Sequence, residues 1–217
     1  MTEDEKLKGY IKQIAETEIT QLETDTVVIE PQIPKGNKVL HVETSILFID
    51  IRQSTLMTEK ISIVNMTKVY RMFGAISSKA VRDNNGIIIQ FIGDGFLAAF
   101  NSSSSQNTRE SSYYAAKEVK RSIEENYKRV VRKEWHFDCG YAITTGHIFM
   151  TRFKSKPYKL GSFGIFPGNP TNLASKLCEL AKTNELYVDE STYQRIKSFN
   201  HFSPFDYCGK KVFGCHL

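Results

Sequence analysis

Two aspartates stand where apolar runs break off, and chemistry is expected at them. Asp50 ends Ser45-Ile-Leu-Phe-Ile-Asp50, where Ile46 to Ile49 read as a strand buried on both faces before Arg52, Gln53, Ser54 and Thr55 lead the chain out of the core. Asp94 lies between Gly93 and Gly95 with apolar residues on either side, a hairpin signal because both turn positions accept positive φ. Taken singly, a carboxylate at a strand end is either a turn residue bonded to its own backbone or a ligand for a cation. Taken as a pair on adjacent strand ends, two carboxylates suit two divalent ions held about 3.5–4 Å apart for phosphoryl-group chemistry.

Whether the pair meets depends on the elements between. Leu56 to Val81 has helical periodicity, with Ile61, Val64, Val69, Met72, Phe73 and Ile76 at three- and four-residue steps. Strand, helix and hairpin make half of a ferredoxin-like βαββαβ unit, an α+β fold in which the third strand lies antiparallel beside the first. That topology brings the tip carrying Asp94 to the end carrying Asp50. Downstream, 109–133 reads as a helix with Tyr113, Ala116, Val119 and Ile123 inward and a basic, solvated outer face. The segment 135–150 reads as a strand and hairpin broken at Gly140 and Gly146. Residues 151–170 read as a glycine-rich lid or dimer arm, 172–182 as a helix, and Leu186 to Val188 as a strand. Asp189 reads as the cap of a helix, and Gly209 as the turn of a last hairpin. In front, residues 1–24 carry Leu7, Ile11, Ile14 and Ile19 on one stripe, an amphipathic helix expected to pack on its own domain. The chain divides into an N-terminal helix and linker, 1–42, and a catalytic unit, 43–217.

A chain of 217 residues with 41% apolar content supports one full core. A net charge of +5 suits a polyanionic small substrate, while basic residues are not interleaved with aromatics as a nucleic-acid groove requires. Cys139, Cys178, Cys208 and Cys215 have no CxxC spacing and read as free thiols. No signal peptide opens the chain and no apolar run approaches the ~20 residues of a membrane span, so no membrane contact and a cytoplasmic location are expected.

Phe48-Ile-Asp-Ile51 with Ser54-Thr55, Phe91-Ile-Gly-Asp-Gly95, and Gly168-Asn-Pro-Thr-Asn172 running to Ala181 occur in the order and approximate separation of the class III nucleotidyl cyclase catalytic domain, which the chain resembles over about residues 43 to 217. The resemblance implies cyclisation of a nucleoside triphosphate with release of pyrophosphate. Asp50, Asp94 and the carbonyl of Ile51 would hold two Mg²⁺ or Mn²⁺ ions. The turn Gln53-Ser54-Thr55 would offer N–H groups to the phosphates, with Arg52 adding charge, and Asn172 would orient the ribose. Lys176 stands where that family has its transition-state arginine, a point charge in place of a planar fork. Members that cyclise purines carry a Lys and an Asp or Thr at the positions of Gln90 and Ile165, and neither is present here.

The altered base positions and short chain are most similar to the pyrimidine branch, the Pycsar cyclases. That similarity implies cyclic UMP or cyclic CMP made as a signal in bacterial antiviral defence and read by a separate effector protein. The family also implies a homodimer with shared sites. An adenylate or guanylate cyclase with an atypical pocket, and a silent regulatory homologue, are the alternatives.

Overall fold

The computed structural model describes residues 2–154 and 162–217. In chain order it has α1 (Glu3–Glu16), β1 (Thr20–Glu23), β2 (Lys38–Ile51), α2 (Ser54–Lys60), α3 (Ile63–Asp83), β3 (Gly86–Ile92), β4 (Gly95–Phe100) and α4 (Thr108–Ser122). A π-turn, Ile123–Tyr127, links α4 to the short α5 (Lys128–Val130). Then come β5 (Cys139–Lys154), β6 (Ser162–Ile165), α6 (Asn169–Leu180), β7 (Glu185–Asp189), α7 (Glu190–Ile196), β8 (Ser203–Tyr207) and β9 (Lys210–His216).

The main sheet runs β3-β4-β2-β5-β7-β9-β8, with β1 paired to β2 and β6 to β5. Its first four strands have the ferredoxin-like order, with β4 and β5 both antiparallel to the central β2. The apolar run in β2 is explained by burial on both sides. Leu47, Ile49 and Ile51 enter a core with α3 and α4, whereas Ile46 and Phe48 enter a second core with Ala174 and Leu177 of α6. Each fully buried aliphatic side chain there contributes about 1.5–3 kcal/mol.

Several expectations are corrected. The helix expected over 56–81 is two helices, because Ser62 leaves the helical conformation and its side chain accepts from the Asn65 N–H at 3.3 Å to start α3. The strand and hairpin expected over 135–150 are one long strand, β5. Gly140 is no turn: a Cβ there would lie 2.8 Å from Arg52 Nε, so glycine lets that side chain cross the strand. The stripe of α1 is not packed inward, since Leu7, Ile11 and Ile14 are exposed and the helix buries no residue; a Thr2 capping box closes its first turn. Within 151–170 the flanks form a β5–β6 hairpin and the start of α6, and the remainder of the expected lid or arm, 155–161, lies outside the described residues. β2 begins at Lys38, ahead of residue 43, and β1 pairs with it in parallel, so part of the N-terminal segment belongs to the sheet. Cys208 is exposed, while the other three free cysteines are buried.

Candidate active site

β2 and β4 set the first half of the site. In their antiparallel register Asp50 faces Gly95, and the Ile51 N–H donates to the carbonyl of Asp94 at 3.3 Å, so the hairpin tip is tied to the end of β2. Gly93 takes φ +59 in the turn. Gly95 is required by a close approach, since a Cβ would lie 2.9 Å from Asp50 Oδ1 and 2.8 Å from the Ile49 carbonyl. Two carboxylates 44 residues apart in sequence, at positions 50 and 94, thus meet at one rim of the sheet.

Their electrostatics follow from that placement. Burial pushes the Asp50 carboxyl up to about 6, the Arg52 guanidinium opposes the rise, and the neighbouring Asp94 carboxylate adds to it. Arg52 Nη2 donates to Asp50 Oδ2 at 2.6 Å and to Cys178 Sγ at 3.4 Å, which sets the guanidinium between the carboxylate and α6. Burial pushes the Cys178 thiol up to about 12, so it is a packing group and no nucleophile. Two neighbours escaped the sequence reading. Tyr70 of α3 lies within the field of both aspartates, which together with burial raises its hydroxyl, and the charge of Glu179 reaches Asp50 from α6. Tyr70 falls within a stretch read only for its helical periodicity, and nothing in the sequence places α6 over β2.

The donor set fits a hard divalent cation. It offers carboxylate and carbonyl oxygen, the ligands Mg²⁺ and Mn²⁺ prefer. Among the described residues no cluster of three or more His, Cys, Asp or Glu side chains is present, so further coordination has to come from backbone, water and substrate phosphates, as is usual for Mg²⁺. Beside the pair, Gln53 holds a left-handed conformation at φ 58, and its side chain makes no cap bond to α2, which begins at Ser54 and Thr55.

The second half lies elsewhere on the chain. Gln90, Ile165 and Asn172, from β3, β6 and α6, line one cleft of about 740 Å³, and neither aspartate does. A register shift between Ile88 and Gln90 interrupts the β3–β4 ladder, and through this bulge the adjacent Ile89 and Gln90 both face the cleft. Lys176 follows Asn172 by one turn of α6 and is likewise exposed.

The model of the adenylate and guanylate cyclase catalytic domain matches residues 38–213. The chain belongs to this cyclase family. A uridylate cyclase of Rhodovulum sp. (strain MB263) is 22% identical over 205 residues, 90% of this chain and 82% of that protein. The cyclase fold recurs in the adenylyl cyclase CyaB of P. aeruginosa at a TM-score of 0.68 and 18% identity, covering 81% of this chain and 94% of that one. The dimeric guanylyl cyclase domain of the RhoGC fusion protein of Blastocladiella emersonii gives a TM-score of 0.68 at 17% identity, covering 81% and 95%. Among the described residues of this cyclase domain, no helix is long and apolar enough to cross a membrane.

Proposed function

We propose that this cyclase domain acts on a pyrimidine nucleotide, converting UTP or CTP to the 3′,5′-cyclic monophosphate and pyrophosphate. The observation that carries the reading is the cleft shared by Gln90, Ile165 and Asn172. An aliphatic side chain at Ile165 cannot make a base-reading hydrogen bond, and loss of such a bond removes orders of magnitude of discrimination. The uridylate cyclase relative supports the same choice.

The ribose 3′-oxygen bonds to the α-phosphorus, the bond from that phosphorus to the bridging oxygen breaks, the hydroxyl proton departs, and pyrophosphate leaves. Because attacker and target are one molecule, the protein's work is orientation and charge. Asp50 and Asp94, with the Ile51 carbonyl, would hold divalent ions, whose chemistry when bound would be to lower the hydroxyl's pKa and neutralise phosphate charge. The N–H groups from Gln53 to Thr55 face the β- and γ-phosphates. Asn172 fixes the ribose, and Lys176 places a positive charge on the reacting phosphate. Arg52, bonded to Asp50, steadies that carboxylate and adds positive charge beside the phosphate-facing turn.

The two halves complete each other in a homodimer, the aspartates of one subunit meeting the cleft of the other. Exposed apolar residues beside both halves support this: Phe91 at 57%, Ile92 at 42%, Phe163 at 55% and Ile165 at 44% exposure. Similarity to the Pycsar branch supports a role for the product as a messenger in antiviral defence, read by a separate effector. Incubation with ATP, GTP, CTP and UTP separately, with Mn²⁺ and mass detection, is expected to give a cyclic pyrimidine nucleotide. Cyclic AMP or GMP alone would replace this reading with a purine cyclase, and no product would point to a silent regulatory module.

A further inference from the structure

One large apolar side chain in the cleft of Gln90, Ile165 and Asn172 is turned away from the core. Phe163 of β6 lines that cleft together with Ile89 and Gln90 of β3, and it is 55% exposed. The alternation of β6 puts it there. Phe166 is buried in the core with Val27 and Ile33, and a Cβ on Gly164 would lie 3.2 Å from both Ile33 Cδ1 and Phe166 Cε2, so these two positions face inward. Successive side chains of a strand point to opposite faces, and Phe163 and Ile165 therefore share the outer one. Register pairs from Thr151↔Ile165 to Lys154↔Ser162 tie β6 to β5. Phe163 is thus carried on a strand whose other face is seated in a core. With only two side-chain torsions, an aromatic residue also gives up little freedom when something settles on it.

The rest of the cleft indicates what settles there. Glu30 is held by Arg152, and the other polar side chains on the lining are the amides of Gln90 and Asn172. Neither amide makes a side-chain hydrogen bond among the described residues. Amides beside apolar walls suit a flat heterocycle, whose edge carries hydrogen-bonding groups and whose faces do not. Ile89 and Ile165 offer such a ring van der Waals contact alone, whereas Phe163 can stack on it. Stacking accepts every base, because every base has a π-face. The roles therefore separate: edge contacts decide which base is taken, and the ring adds affinity for any of them. A subunit contact is the competing use of an exposed ring. Phe91 and Ile92, exposed beside the aspartates, lie outside the cleft, whereas Phe163 is part of its wall.

Resting on the nucleotide site proposed above, we propose that Phe163 is the stacking platform for the substrate base, with Ile89 and Ile165 completing the apolar contact. It is a binding residue that the three sequence motifs do not include.

The test compares wild type with Phe163→Ala, Phe163→Leu and Phe163→Tyr. Steady-state turnover gives kcat and KM for UTP, CTP, ATP and GTP. Equilibrium binding with Mn²⁺ uses the four 3′-deoxy triphosphates, which lack the attacking hydroxyl, and inorganic tripolyphosphate, which lacks the base. Sedimentation reads assembly. Phe163→Ala is expected to raise KM about tenfold for each nucleotide turned over and to weaken the 3′-deoxy triphosphates by the same factor, with kcat within a few-fold. Tripolyphosphate affinity and assembly are expected to stay within twofold of wild type. Phe163→Tyr, which keeps the ring, should bind like wild type, and Phe163→Leu should fall between. An unchanged KM in Phe163→Ala, an equal loss of tripolyphosphate binding, or a KM defect that disappears as protein concentration restores the dimer would each overturn the proposal. A wild type that cyclises only purines would remove the pyrimidine reading, and the same losses with purine nucleotides would still support Phe163. A wild type that binds none of the 3′-deoxy triphosphates would overturn the site and the platform together.

Discussion

Asp50 is pulled in two directions: burial and Asp94 favour its protonated form, and Arg52 favours the carboxylate. The net result lies above the ordinary value of 3.8, at about 6. Its contribution to stability is therefore present below about 3.8 and lost as pH rises through about 6, because the folded chain holds a proton that the unfolded chain has released. A divalent cation that pairs with the ionised form offsets that loss. The melting temperature should rise more on adding Mn²⁺ at about pH 7.5 than at about pH 5, as measured by thermal shift. Equal rises at both would argue against Asp50 as a ligand. Asp94→Ala leaves one carboxylate for two ions, and turnover should fall by roughly a thousandfold or more with little change in melting temperature. Near-normal turnover in that variant would remove the metal assignment.

At the scale of elements, the site depends on how closely β2 and the β3–β4 hairpin approach. Gly95→Ala forces a methyl group against the Ile49 carbonyl and Asp50 Oδ1. Overpacking of this kind costs about 1–3 kcal/mol, and here the shift falls on a proposed metal ligand, so both melting temperature and turnover should drop. Ser62→Ala makes a useful contrast. It removes the cap of α3, a loss of about 1 kcal/mol, yet touches neither half of the site. A lower melting temperature with unchanged kcat is expected there, and a large fall in kcat would mean that the α2–α3 break has a role in catalysis. The same break was missed by periodicity, because apolar spacing continues across residues 61 and 62 while the competing hydrogen bond is made by a single hydroxyl.

On the scale of the whole molecule, neither Asp50 nor Asp94 lines the cleft of Gln90, Ile165 and Asn172, which is the arrangement that two copies would complete under the proposed shared-site model. Neither Asp94→Ala nor Asn172→Ala alone should turn over. Mixed and allowed to exchange subunits, they should recover about a quarter of wild-type activity, since half the dimers are then mixed and each has one intact site of two. No recovery, with exchange verified by size, would place both halves within one subunit. The unbroken apolar run Ile46 to Ile49 made the central strand legible in the sequence, and the glycines around Asp94 made the hairpin legible, because apolar runs and turn chemistry are local properties. Strand order followed from the general topology of the unit. Gly140 and Gly146 misled, since a glycine that yields to a neighbouring side chain looks the same in sequence as one that makes a turn. The sequence places Arg52 beside the phosphate-facing turn, and its contacts in the fold, across Gly140 to Asp50 and to Cys178 more than a hundred residues later, were not legible there. Phe163 left no signal of its own. Its place at the cleft comes from β6, whose other face, Gly164 and Phe166, packs on Ile33 from the segment ahead of β2. Local sequence thus determined which carboxylates stand at strand ends and which strands carry them, and tertiary packing alone decided which charges face one another, because that depends on distances between segments far apart along the chain.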